Sequence, residues 1–151
     1  MSNPGLCRAV LATPDRRTYF DRFTAEHVPM TTPSFRPVLY VKDRCPWCLK
    51  LRLFLLEAGL SDRFDWRVFA PGDVMEEGIR HELASHFEKV TFPTVEIAPG
   101  QFIQDSQAII DHYAAETGID PADLPTLDQY VRGPLARLGE LRKEIAGLKV
   151  G

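Results

Sequence analysis

The chain is short of cysteine and histidine, lacks a surplus of charge of one sign, and has no long apolar run. Three cysteines in 151 residues are too few, and odd in number, for a disulfide framework. The histidines His27, His81, His86 and His112 form no paired knuckle, and the cysteines do not make up the four ligands a structural zinc normally takes. No metal is therefore expected. A net charge of −3 implies no polycationic surface, so no nucleic-acid partner is expected. No apolar run approaches the ~20 residues of a membrane span. Met1 to Val10 holds one basic residue and no apolar core, so no secretory leader is read and a reducing, cytoplasmic compartment is the expectation. Apolar content of 44% and charged content of 26% are ordinary for a globular chain long enough to bury a core.

What is present is Cys45-Pro46-Trp47-Cys48. It follows the apolar run Val38-Leu39-Tyr40-Val41 and precedes an apolar-rich helical stretch that meets no breaker until Gly59. Cys45 thus falls at a strand-to-helix turn, where unpaired backbone N–H groups and the helix dipole favour negative charge. Such a site lowers a thiol's pKa, and the thiolate is the nucleophile. Pro46 suits the first helical turn, where its missing N–H would have no partner anyway. Two cysteines so spaced can act in sequence on a disulfide, Cys45 opening it and Cys48 resolving the mixed disulfide.

Three segments follow from composition and periodicity. Residues 1–36 form a proline-containing N-terminal arm whose Tyr19, Phe20 and Phe23 could pack on the domain. Residues 37–118 form the ordered domain. Residues 119–151 are a linker and a C-terminal helix. In the domain, Val38–Val41 reads as a buried strand and Pro46–Ala58 as a helix. Residues 64–69 alternate as a strand does. Asp73 caps a helix with Val74, Ile79, Leu83 and Phe87 as its apolar face. Residues 94–97 and 101–103 make a hairpin about Pro99-Gly100. Asp105 and Ser106 offer capping oxygens to the helix Gln107–Thr117. The order β-α-β-α-β-β-α implies an α/β, thioredoxin-like architecture, a mixed four-stranded sheet flanked by helices. Beyond the linker at 121–125, the spacing of Leu138, Leu141, Ile145 and Leu148 predicts an amphipathic helix beginning or kinking at Gly133-Pro134. A lone helix of this length is marginal in water, so its stripe should be buried on the domain or on a second subunit; a homodimer is left open.

Over residues 37–117 the chain resembles the glutaredoxins, the glutathione-binding branch of the thioredoxin superfamily, with similarity to glutathione transferase N-terminal domains. The resemblance rests on Lys42 three residues before Cys45, on the Cys-Pro-Trp-Cys motif, on Thr91-Phe92-Pro93 and on Asp105-Ser106. Arg80 stands at the family's offset for a residue that meets a peptide carboxylate. The resemblance implies a cis bond at Pro93 and a glutathione groove. In that groove Lys42 and Arg80 would hold the glycine carboxylate, Asp105 the γ-glutamyl ammonium, and Ser106 with its helix N-terminus the γ-glutamyl carboxylate. The backbone of Phe92 and Pro93 would pair with the cysteinyl unit, and Trp47 would border it. One departure is the missing Gly-Gly before the acidic pair, where Phe102-Ile103-Gln104 stands. Residues after 118 are too few for a transferase's helical second domain, so the electrophile pocket is expected to be missing.

These readings imply a glutathione-dependent thiol-disulfide oxidoreductase, with glutathione as co-substrate and glutathionylated or disulfide-containing proteins as partners. Two alternatives stand beside it. One is a transferase-type enzyme that conjugates or isomerises. The other is a carrier of an iron–sulfur cluster held by glutathione and Cys45.

Overall fold

Strand β1 (Val38–Lys42) is apolar on both faces because both are covered. Successive side chains of a strand point to opposite sides. Leu39 and Val41 enter one core with Leu51, Phe54, Leu55, Val95, Ile109, Ile110 and Tyr113. Tyr40 enters another with Phe69, Ile79 and Leu83. The computed structural model describes residues 34–148. Cys7, His27, Tyr19, Phe20 and Phe23 lie outside the described residues.

The elements follow in the order β1, α1 (Pro46–Glu57), β2 (Asp65–Phe69), α2 (Val74–Leu83), β3 (Thr94–Ala98), β4 (Gln101–Gln104) and α3 (Ser106–Thr117). The sheet order is β2-β1-β3-β4. β1 and β2 are parallel, with Tyr40 opposite Arg67. β3 runs antiparallel to β1, with Leu39 opposite Val95, and β4 pairs antiparallel with β3 as a hairpin. This is the mixed, helix-flanked, thioredoxin-like sheet that the sequence implies. Helices α1 and α3 supply the first core and α2 the second, so the layers are helix, sheet, helix.

Helix ends follow local chemistry. Pro46 begins α1. The Asp73 carboxylate accepts from Met75 N and caps α2. α3 stops at Gly118, whose φ of 71° is left-handed and costs glycine little. The apolar face of α2 is narrower than its sequence implies. Ile79 and Leu83 are buried, but Val74 is 83% exposed, because it stands at the first position, before α2 turns toward the sheet.

The C-terminal segment begins earlier than its spacing predicts. A 3-10 turn (Pro121–Asp123) occupies the expected linker. Helix α4 (Pro125–Tyr130) follows, then a π-helical turn over Val131–Leu135, then α5 (Ala136–Leu148). Of the two expectations for Gly133-Pro134, a start or a kink, the structure has the pair inside an irregular turn of a longer helical path. The wider π turn carries the proline, which has no N–H to give and would crowd a regular turn. Helix α4 is docked on the domain. The Glu57 carboxylate at the end of α1 accepts from Thr126 N at 2.9 Å and Leu127 N at 2.7 Å, and Leu127 is buried in the first core. No residue of α5 is buried.

Candidate functional site

Cys45 is the N-cap of α1. Its Sγ accepts from Cys48 N at 3.5 Å and lies 4.0 Å from the Phe92 carbonyl oxygen. Hydrogen bonding from the Cys48 thiol, then from the N–H groups of Cys48 and Trp47, together with the Lys42 charge, brings the Cys45 thiol down from 9.0 to about 6, against the opposing effect of burial. Cys48 sits one turn into the helix and is buried. Its Sγ accepts from Lys42 N at 3.3 Å. Its hydrogen bond to Cys45, then burial, push its thiol up. Both cysteines are free. One thiolate at neutral pH beside one protonated thiol is the division of labour that sequential attack on a disulfide requires.

The bond between Phe92 and Pro93 is cis. Phe92 packs against Phe69, with ring centroids 4.7 Å apart, and so stands between the second core and Cys45. On the far side, Asp105 caps α3, accepting from Gln107 N at 2.8 Å and Ala108 N at 3.3 Å. Ser106 is 2% exposed. Among the described residues, Arg44 and Asp105 are the non-glycine positions with positive φ, 54° and 86°. Such backbone costs of order 1–3 kcal/mol and gathers at functional sites; here both positions adjoin the residues in question.

Lys42 and Arg80 are brought together, but on a third group that the sequence reading passed over. The Glu76 carboxylate accepts from Lys42 Nζ at 2.8 Å and from Arg80 Nε at 3.0 Å and Nη2 at 2.8 Å. Its spacing to Arg80 is a helical i, i+4 pair and legible in the chain; its link to Lys42 exists only once α2 crosses over β1. Lys50 was also passed over. Its ammonium donates to the Gln107 side chain beside Asp105, and burial lowers its pKa while Asp105 and Asp111 raise it. Two further residues come from the C-terminal segment. Tyr130 Oη donates to Pro46 O at 3.0 Å, and the Arg142 guanidinium stacks 4.4 Å over the Trp47 ring. Trp47 therefore faces α5. No local signal marks Tyr130 or Arg142, because both contacts depend on how the C-terminal helices lie along α1.

A cavity of about 390 Å³ opens beside the two cysteines, lined by Lys42, Arg44, Cys45, Leu49, Arg52 and Tyr130 among others. Among the described residues no group of three or more His, Cys, Asp or Glu side chains is placed to hold a metal, and no helix is long and apolar enough to cross a membrane.

Fold and site together define a thioredoxin-like domain with a cysteine at the head of its first helix. Residues 44–116 match the family model described as glutathione S-transferase, N-terminal domain. The resemblance to the glutathione-binding branch, with its likeness to transferase N-terminal domains, thus holds. A comparison with curated proteins finds no match. Among solved structures, the chain is similar to one described as a possible glutathione S-transferase from Rhodopseudomonas palustris. The identity is 23%, the TM-score 0.45, and the alignment covers 58% of this chain and 43% of that one.

Proposed function

We propose that this chain is a glutathione-dependent thiol-disulfide oxidoreductase acting through Cys45 and Cys48. The observation that carries the reading is the pair itself: an accessible thiol held at about 6 over a buried thiol held protonated. The Cys45 thiolate attacks the glutathione sulfur of a mixed disulfide. A Cys45–glutathione disulfide forms, and the partner's thiolate leaves and takes up a proton. The thiolate of a second glutathione then attacks that glutathionyl sulfur, releasing glutathione disulfide and restoring the Cys45 thiolate. With a protein disulfide, Cys45 forms the mixed disulfide and Cys48 loses its proton and displaces the substrate thiolate. The resulting Cys45–Cys48 disulfide is reduced by two glutathione molecules.

On this reading glutathione would lie between two flanks. Asp105, the α3 N-terminus with Ser106, and Lys50 would take its γ-glutamyl end, and the Lys42–Arg80 side its glycyl carboxylate. The Phe92 backbone ahead of β3 would meet the cysteinyl unit and Trp47 the rim. Disulfide-containing or glutathionylated proteins of a reducing, cytoplasmic compartment are the partners this chemistry fits. A transferase-type conjugation is the second reading, favoured by the family match and by the cavity against Cys45, which has room for a second small substrate.

The test is a pair of assays with glutathione as thiol donor. Reduction of a small glutathionylated disulfide that is lost in Cys45→Ser and kept in Cys48→Ser supports the oxidoreductase. Conjugation of an aryl halide with no disulfide reduction would replace it by the transferase. A brown dimer that forms only with glutathione and iron would favour the cluster carrier.

A further inference from the structure

We infer that Glu76 is a positioning residue that holds Lys42 and Arg80 at one net positive charge, fitting this side of the Cys45 site to a ligand that presents a single carboxylate there. This rests on the proposed glutathione reading and adds to it a group that sets ligand charge.

The geometry is that of a saturated carboxylate. Glu76 is 8% exposed. Its Oε1 accepts from Lys42 Nζ, Arg80 Nε and Arg80 Nη2, and its Oε2 accepts from Gly72 N at 2.8 Å. Those donors come from the end of β1, the turn before α2 and α2 itself. Arg80 extends the chain of contacts by donating from Nη1 to Val90 O at 2.8 Å, and its guanidinium lies 4.9 Å over the Phe92 ring. Glu76 is thereby tied to Lys42 and, through Arg80, to the 90–92 segment. Arg80 uses three of its five N–H donors on these contacts and Lys42 one of its three, so each keeps two for a ligand.

The charge arithmetic is simple. Two cations and one carboxylate leave one positive charge. The carboxylate stays ionised at any physiological pH, since the Lys42 bond, then the Gly72 N–H and Arg80, hold it at about 2. Without Glu76 two cations would face one ligand carboxylate; Lys42 lines the cavity beside the cysteines, whose other charged or titratable groups are Asp43, Arg44, Cys45, Cys48, Arg52 and Tyr130. Desolvated charge left uncompensated is costly, so a balanced cluster can stay half-buried while empty and still attract one anion.

The test uses the full chain and Glu76→Gln, which keeps the shape and removes the charge. Two measurements are made. One is the pH profile of iodoacetamide alkylation, read at Cys45 by peptide mass spectrometry. The other is affinity for glutathione and for its glycyl monoethyl ester, which lacks that carboxylate. E76Q should alkylate at Cys45 at lower pH than the natural protein. It should also bind glutathione tighter by roughly threefold or more, with a larger preference over the ester, as one more unneutralised positive charge requires. Arg80→Gln supplies the second variant: it leaves Glu76 to cancel Lys42, so the alkylation profile should move to higher pH and glutathione should bind more weakly. A folded E76Q whose profile stays or moves up overturns the proposal. If E76Q does not fold, an unmoved R80Q profile does the same. Profiles that move as expected in a protein that binds no glutathione would keep the role of Glu76 and remove the glutathione reading instead.

Discussion

Helices α1 and α5 make an instructive pair. Both carry leucines at helical spacing, yet α1 buries Cys48, Leu51, Phe54 and Leu55 and α5 buries nothing. In α5, Leu141 is 38%, Ile145 53% and Leu148 81% exposed. The stripe that should have been covered is open in this structure. The difference is one of neighbours. α1 lies against a sheet whose strands are apolar on that side, while α5 buries none of its residues against the rest of the described chain. What keeps α5 related to the domain is Arg142 on Trp47 and the anchored α4 before it. Periodicity announces that a face is apolar; only the presence of an opposing surface decides whether it is buried.

The largest expected effect sharpens that contrast at the base of α1. Leu51→Ala should destabilise the fold by about 2–5 kcal/mol, the usual range for a core leucine truncated to alanine, as measured by denaturant unfolding. A loss under 1 kcal/mol would mean that α1 is no better anchored than α5.

Next comes the head of α1. Cys45 alkylation should rise with a midpoint at about pH 6, with Cys48 silent until far higher pH. The sign for stability follows. The folded thiol is depressed from 9.0 to about 6, so its contribution is full above 9 and falls away as pH drops through 6. Reduced Cys45→Ser should therefore lose stability relative to the natural protein at pH 9 and match it near pH 5. Equal differences at both would show that the helix head does not hold the thiolate.

Smaller effects concern the C-terminal segment. Glu57→Gln weakens the cap on α4 and should lower the melting temperature by less than Leu51→Ala does, since Thr126 N and Leu127 N can turn to water. Arg142→Ala should cost about 0.5–1 kcal/mol, as an exposed cation–π contact does, and should change the fluorescence of Trp47. Smallest of all, Ile145→Asp should shift stability by no more than about 0.5 kcal/mol, because an exposed site has little to lose. A larger loss, with a change in sedimentation, would mean that a second copy of the chain covers the stripe in solution.

Much of the fold was written locally. The strand at Val38, the cap at Asp73, the Pro99-Gly100 hairpin and the stop at Gly118 each rest on a few adjacent residues, so periodicity and turn chemistry reached them. The start of the last helix was missed because Pro134 reads as a breaker, whereas a π turn accommodates it within a longer helical path. At the candidate site, the cysteines and the cap at Asp105 were legible for the same local reason. The sequence also put Lys42 and Arg80 forward, but not their engagement by Glu76.

By itself, then, the sequence determined the order of the elements and put forward the candidate cysteine pair, because a strand-to-helix turn with a cysteine at its head is short-range chemistry. Tertiary structure alone decided which charges meet. The crossover that lays α2 against β1 puts Glu76 between Lys42 and Arg80. The docking of α4 along α1 brings Tyr130 to Pro46 and Arg142 to Trp47. Residues 34 to 95 positions apart in the chain have no local signal by which to find one another; the packing of apolar faces brings them into contact, and their electrostatics follow from that.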